Sequence, residues 1–358
     1  MALALVRDLR DVRVPLGEDE IADFETDVLA GLVLARVAAG LTDSTIRNDT
    51  NHLGLIREWF GRPLWEMQPS DADTYFGKVL RDAKPSTRVG RAAALTVYFQ
   101  FLELRHKIEI YNLTGQVIEC PLDEMNRPRA SVDPQLRIPP SDAEIEQLFS
   151  GWREELATCR KFAPTARNYA AARLITDVGL RVNEARMLDL DDVRWELGRF
   201  GKLNVRFGKG SRRRGAKPRL VPLINGADRN LRWFIEDVWG NFGVDHALPG
   251  APLLPSERKN ADGSGARVTA DVLLRALLRA AEQHLPAWSG RLTPHVLRHF
   301  CASQPYLAGM TLFAIQELHG HTWTGTTARY IHVHGTHVED AWVAGQQRAT
   351  ERWKGLVQ

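Results

Sequence analysis

At 358 residues, and at roughly 150 residues per domain, the chain has room for two domains. Its apolar content of 44% supplies cores for both, which excludes a disordered or disulfide-stapled polypeptide. Lys and Arg number 47 against 44 Asp and Glu, a net charge of +3, so an anionic partner is permitted and only local clustering argues for one. Three cysteines, Cys120, Cys159 and Cys301, are odd in number, widely spaced and without a C-x-x-C. Neither a disulfide framework nor a thiolate zinc site is expected, and a reducing cytoplasm fits. No apolar run reaches the eighteen or so residues of a membrane span, and the apolar start from Met1 to Val6 is closed by Arg7, Asp8 and Arg10, too soon for a signal peptide. A cytoplasmic protein without membrane contact is expected.

In chain order, residues 18–115 read as helical throughout. A first helix, Asp19 to Ala39, ends at Gly40, and a second follows a Thr42-Asp43-Ser44 cap, with Ile46, Leu53, Ile56, Trp59 and Phe60 recurring on one face until Gly61 and Pro63. A third passes from Pro69-Ser70 through Tyr75, Phe76 and Leu80, and a fourth from Ser86 to Leu104 carries Leu95, Val97, Phe99, Phe101 and Leu102. Residues 116–140 hold Pro121, Pro128, Pro134, Pro139 and Pro140 with little periodicity, the composition of a linker. A second domain, 141–335, opens on the cap pair Ser141-Asp142 and is helical to Val178. It then changes character: Leu203 to Phe207 and Arg219 to Leu223 are strand-like runs flanking Gly208, Gly210 and Gly215, which predicts a hairpin. Helices resume at Asn230 to Val238, Ala270 to Gln283, Pro294 to Ala308 and Phe313 to Leu318, while 245–268, rich in Pro, Gly and charge, reads as a surface excursion. Residues 336–358 read as a helical tail. The fold class is therefore mainly α, an all-helical N-terminal domain followed by a mixed C-terminal domain with a small β-hairpin.

The hairpin is the most charged stretch. Arg194 to Arg219 contains ten Lys or Arg against one acid, Glu196, a density suited to phosphate. Arg206, Arg212, Arg213 and Arg214 are candidate DNA-binding residues, although a solvated hairpin tip accounts for the last three equally well. Lys209 differs, because Gly208 and Gly210 let the backbone bring it close to a ligand. His295-Val-Leu-Arg298 opens a helix marked by Thr293 as cap and Pro294 at its first position, and the spacing of three puts both polar side chains on one face. Arg181 follows Gly179 at the start of the next helix, where free N–H groups favour an anion; taken singly, such an arginine is ordinarily a surface residue. His295 and His299 stand four apart without the glutamate of H-E-x-x-H, and His319, His321, His332 and His334 lack a carboxylate or thiolate set, so no metal site is expected.

Together these pieces resemble the tyrosine recombinase (phage integrase) family: G-L-R-V-N-E at 179–184, G-K-G at 208–210, H-V-L-R-H at 295–299, Gly320-His321, and T-T-A-R-Y ending at Tyr330, in that order. The resemblance spans the second domain, and the helical first domain is similar to the family's core-binding domain by helix count and size. It implies that Arg181 and Arg298 are the paired catalytic arginines, Lys209 the hairpin lysine, His295 and His321 the two histidine positions, Tyr330 the nucleophile, and Glu184 the acid that supports the first arginine.

The chemistry suits these residue types. Guanidinium forks stabilise the extra charge of a phosphodiester transition state, a phenol with pKa near 10 needs a base such as His295, and the leaving 5′ oxygen needs a proton, which Lys209 supplies. His321 is expected to hydrogen-bond the phosphate. The implied activity is site-specific recombination through a covalent 3′-phosphotyrosyl intermediate, with no cofactor, metal or ATP. Its partner is double-stranded DNA carrying specific sites, held as a clamp between the two domains, and the protein is expected to be a monomer when free and a homotetramer on two synapsed sites. The alternatives are relaxation of DNA in the manner of a type IB topoisomerase, or DNA binding without cleavage. Recombination is favoured by the H-x-x-R motif, the spacing around Tyr330 and the tail beyond it. Two positions depart from the pattern: His319 stands where the family commonly has leucine, and Pro305 interrupts a helix that is therefore expected to kink.

Overall fold

The computed structural model describes residues 17–115, 117–129, 138–208 and 218–321, together with 325, 327, 342, 343, 345–347 and 350. The chain divides into two compact units, Met1–Gln135 and Leu136–Gln358.

The first unit is helical. Helices α1 (Glu18–Ala38), α2 (Asp43–Phe60), α3 (Pro69–Thr74), α4 (Pro85–Arg105) and α5 (Lys107–Thr114) follow in order. Thr42 caps α2 by accepting from the Thr45 N–H, and Gly61 ends it in the left-handed conformation. The apolar faces of α2 and α4 meet around Leu53, Ile56, Leu95, Tyr98, Phe99 and Leu102, closed by Tyr75 and Phe76. The sequence predicts four helices here, the fourth ending at Leu104; the structure adds a fifth, α5, which starts at Lys107 directly after the His106 junction that ends α4.

The second unit is built around one buried helix. After α6 (Asp142–Glu155), whose Ser141–Glu144 capping box is formed, α7 (Phe162–Val178) buries nearly every residue from Ala166 to Val178. A helix buried on nearly all sides lies in the middle of a core, and α11 (Pro294–Leu307) and α9 (Ala227–Trp233) pack along it. Between α8 (Val182–Arg186) and α9 lies an antiparallel sheet of β1 (Val193–Arg194), β2 (Lys202–Val205) and β3 (Arg219–Pro222), in that spatial order. Its register sets Leu203 against Val193 on one side and Val221 on the other. The predicted hairpin is thus present, with a third strand too short to leave a pattern in the sequence.

The stretch 245–268 departs from expectation. It holds a second hairpin, β4 (Pro255–Lys259) paired with β5 (Gly265–Arg267), and just before it Leu253 and Leu254 are fully buried. Two leucines anchor a segment whose Pro, Gly and charge content otherwise reads as surface. Helix α10 (Ala270–His284) follows, capped by Thr269, and α12 (Leu312–His319) ends at Gly320. Pro305 lies in the last turn of α11, and the helix continues past it to Leu307. The expected interruption reduces to one missing N–H, the one that would reach the Cys301 carbonyl, in the last turn of the helix.

Candidate active site

Two glycine corners and one strand converge on one carboxylate. Gly179 closes α7 at φ 69°, a left-handed turn that glycine adopts without strain. The chain then enters α8 with Arg181 as its capping residue, and Glu184 folds back so that its Oε2 accepts from the Arg181 backbone N–H at 2.9 Å. The Glu184 side chain, 2% exposed, also takes the Arg181 Nη1 at 2.6 Å on Oε1. Arg219, from β3, grips it with both prongs, Nη1 to Oε1 at 3.0 Å and Nη2 to Oε2 at 2.8 Å. Arg298 Nη1 stands 3.7 Å away. Burial by itself would raise the Glu184 carboxyl, but the Arg219 pair, the Arg181 charge and the Arg181 N–H overcome it and hold the pKa at about 2. Three guanidinium groups around a single carboxylate leave an excess of positive charge, which suits a phosphate.

The helix α11 supplies the next side chains as its start signals predict: Thr293 accepts from the Val296 N–H and Pro294 takes the first position. His295 is exposed and Arg298 is 1% exposed. Arg298 donates Nη1 to the Gly179 carbonyl and Nη2 to the His319 carbonyl at 2.6 Å, tying α11 to both glycine corners. One turn beyond His295, the buried His299 approaches it Nε2 to Nε2 at 3.2 Å, with the rings edge-to-face at 4.6 Å.

At the second corner, Gly320 takes φ 62° and a β-carbon there would fall 2.8 Å from Arg219 Cδ. The chain is turned so that His321 lies under Arg298, with Nε2 3.0 Å from Arg298 Nη2 and Nδ1 2.9 Å from Thr327 Oγ1. Burial first, then the charges of Arg298, Arg181 and Arg219, pull the His321 pKa down to about 3. His319 is fully buried against Gly179 and Cys301, and burial together with Arg298 holds it neutral, well below the ordinary histidine range. The unusual histidine therefore fills a leucine-like space.

Of the residues the sequence singles out, the structure gathers Arg181, Glu184, Arg298 and His321 around one point and sets His295 at the exposed end of the same helix. Lys209, Arg212, Arg213, Arg214 and Tyr330 lie outside the described residues. Arg206 is engaged within the protein: it pairs with Asp189 and with Asp192 at 2.8 Å and donates to the Met187 carbonyl. Arg219 was missed. Its signal is positional, since it shares a strand face with the fully buried Val221 while Leu220 between them is 48% exposed, so the arginine points where alternation would place an apolar residue. Among the described residues no group of His, Cys, Asp and Glu is arranged to hold a metal ion, and no helix is long and apolar enough to cross a membrane.

Comparison with known proteins places the site in context. The model of the phage integrase family matches residues 149–337. The tyrosine recombinase XerC of Vibrio campbellii is 27% identical over 284 residues, covering 77% of this chain and 76% of that protein. XerD of Oceanobacillus iheyensis is 26% identical over 326 residues, 88% of this chain and 96% of the relative. Among solved structures, the Tn1549 transposon integrase in complex with transposon right end DNA superposes with a TM-score of 0.60 at 16% identity, covering 91% of this chain and 99% of that one. A lambda integrase dimer bound to a COC′ core site does so at 0.59 and 15%, covering 87% and 96%. These two share the fold.

Proposed function

The chain belongs to the phage integrase family and is a tyrosine-type site-specific recombinase, and on that premise we propose that it cuts and rejoins double-stranded DNA through a covalent 3′-phosphotyrosyl intermediate with Tyr330 as nucleophile. The observation that carries this reading is the convergence of Arg181 and Arg298 on the buried Glu184, with His321 bonded to Arg298, a fixed positive site made of arginines whose geometry is set before any substrate arrives.

Arg181 is the arginine with reach. Its side chain is 25% exposed and, among the described residues, engages Glu184 through one prong, so the rest of its fork is available to a non-bridging phosphate oxygen. Arg298, wholly buried, adds its charge from beneath, where little water screens it. His321 acts through Arg298: both of its ring nitrogens are engaged, by Arg298 and by Thr327, so it orients the arginine where a direct bond to the phosphate was expected. His295, exposed at the first turn of α11, is the base for the tyrosine hydroxyl. Attack of the Tyr330 oxygen forms the phosphotyrosyl bond and breaks the bond to the 5′ oxygen, which takes a proton from Lys209. The reverse attack by a 5′ hydroxyl of a second strand reseals the backbone. The bond energy is held in the phosphotyrosyl ester, so the exchange runs without ATP, and the arginines and lysine provide the charge that a metal would.

Double-stranded DNA with specific sites is the partner, residues 18–115 serve as the core-binding domain, and a homotetramer on two synapsed sites carries out exchange. A randomised library of nicked duplexes, in which cleavage beside the nick releases a short strand and traps the adduct, tests the reading. Wild-type protein should form adducts that resist denaturing gels, and Tyr330→Phe should bind the selected duplexes without forming any. Adducts that persist in that variant would show that another residue is the nucleophile, while a wild-type protein that binds without adducts would be a DNA-binding protein only. A supercoiled plasmid carrying the selected sequence that is relaxed but never recombined would favour the topoisomerase reading.

A further inference from the structure

Arg219 belongs to none of the motifs that carry the recombinase chemistry, yet its side chain makes two bonds to the site's central carboxylate where the side chain of Arg181 makes one. Its side chain is 10% exposed, both prongs lie on Glu184 at 3.0 and 2.8 Å, and its Nε–H points to the Leu318 carbonyl at 3.3 Å. The stem packs against Gly320, where a β-carbon would come within 2.8 Å of Cδ. All of its directional contacts are thus inside the protein, and they join three segments: the strand leaving the Lys209 hairpin, the acid behind Arg181, and the corner that carries His321.

We propose that Arg219 is a positioning residue that engages both oxygens of Glu184 so that Arg181 stays open, and charged, for the scissile phosphate. A carboxylate offers about four lone-pair positions. With Arg219 in place, those on Glu184 are taken by two Arg219 prongs, one Arg181 prong and the Arg181 backbone N–H. Were Arg219 absent, the geometry favoured by guanidinium and carboxylate is the parallel two-pronged pair, and Arg181 is the neighbour able to make it. Arg181 would then turn its fork inward and have its charge cancelled. Lysine at position 219 would keep the charge and lose the fork, leaving one oxygen exposed to capture by Arg181. The inference rests on the recombinase reading for its substrate, but the opening of Arg181 is measurable without cleavage.

The experiment compares wild type, Arg219→Lys, Arg219→Met, Glu184→Gln and the double variant Arg219→Met/Glu184→Gln, each checked for folding by circular dichroism. Two quantities are read: the single-turnover rate of adduct formation on a selected nicked duplex, and the rise in melting temperature caused by inorganic phosphate. Arg219→Met should slow adduct formation about 100-fold and abolish most of the phosphate-induced rise, while duplex affinity stays within about threefold. Arg219→Lys should be slowed about tenfold. The decisive result is the double variant, which should recover about tenfold over Arg219→Met in rate and regain the phosphate response, because removing the Glu184 charge frees Arg181.

A double variant no better than Arg219→Met in either quantity would reduce Arg219 to a packing role, as would Arg219→Met at wild-type rate. Should Arg219→Met fail to fold, Arg219→Lys decides: wild-type rate and phosphate response overturn the proposal, and losses in both support it. If wild type itself forms no adduct, the recombinase reading falls and the phosphate response alone still tells whether Arg219 keeps Arg181 open.

Discussion

Arg298 Nη2 lies 3.0 Å from Nε2 of His321, and this one distance fixes the histidine's protonation state. A guanidinium has donors and no acceptor, so Nε2 must carry the lone pair and the ring proton sits on Nδ1, donated to Thr327 Oγ1 at 2.9 Å. The pKa of about 3 agrees, since a charged ring there would face Arg298 donor to donor. The requirement at 321 is therefore a buried acceptor. His321→Gln, which offers a carbonyl oxygen, should hold adduct formation within about tenfold of wild type, whereas His321→Leu leaves a buried guanidinium donor without its partner and should slow it about 10- to 100-fold. Equal losses in the two variants, measured as single-turnover rates, would argue that an acceptor is not what the site needs.

Gly179 makes a prediction about the framework beneath. Alanine there must hold φ near 69°, and its β-carbon would fall 2.5 Å from His319 Cε1 and 3.1 Å from Cys301 Sγ. Left-handed strain and overpacking together should destabilise Gly179→Ala by about 2–4 kcal/mol in urea unfolding. If the clash with His319 is the larger part, adding His319→Ala should restore some of the loss, so that the double variant is more stable than the sum of the two singles requires. Strict additivity would assign the cost to backbone strain alone.

These corners also show what a sequence reveals and what it withholds. Thr293-Pro294 and Ser141 announce helix starts because capping is local, and Gly179 and Gly320 announce ends because a positive φ is nearly a glycine monopoly. The order of the motifs points to Arg181, Arg298 and His321, and the structure brings them together. Their differences are tertiary. Nothing in the residues near Arg298 says that it is sealed under two carbonyls while Arg181 keeps an exposed fork, because both facts depend on α12 and α7 arriving from distant parts of the chain. Arg219 was obscured by the ordinary rule that Leu220, and not its neighbour, should face the core. The β4–β5 hairpin was obscured because Leu253 and Leu254 are two apolar residues in a polar stretch, too few to form a period.

The tail provides a prediction about assembly. Ala341, Trp342, Ala344 and Trp353 form an apolar set in the sequence, and on the isolated chain Trp342 is 66% and Val343 48% exposed. Tryptophan is costly to leave in water and is a frequent anchor at interfaces. If the segment from 338 onward docks on a neighbouring protomer, as the recombinase reading expects, the contact is head-to-tail and closes a ring. Truncation after Gly335, or Trp342→Ala alone, should leave affinity for one site nearly intact while weakening complexes that hold two. Sizing the complexes on one and two sites checks this, and unchanged two-site assembly would return the tail to its own domain.

Asp177 makes stability depend on pH. It ends α7 with a side chain 6% exposed, pairs with Arg173 at 3.1 Å, and its Oδ2 is buried with no hydrogen-bond partner among the described residues. Burial raises its pKa from 3.8 to about 7, with the charge and hydrogen bond of Arg173 only partly opposing it. The folded chain therefore keeps a proton that the unfolded chain has released at every pH between about 4 and 7, and stability contributed by this residue falls as pH rises through that window, by up to about 1.4 kcal/mol per unit. His321 works the other way: its folded pKa of about 3 lies below the ordinary 6.5, so its contribution is complete above about 6.5 and is lost as pH falls toward 3. In wild-type protein the two slopes partly cancel, and a flat profile would conceal both. Asp177→Asn removes one of them. The variant should unfold at nearly the wild-type urea concentration at pH about 4, gain on it steadily, and be more stable by about 2 kcal/mol or more at pH about 8. A gain that is the same at both pH values would mean that Asp177 is charged throughout and held by Arg173, and that the buried oxygen is stabilised by something other than its proton.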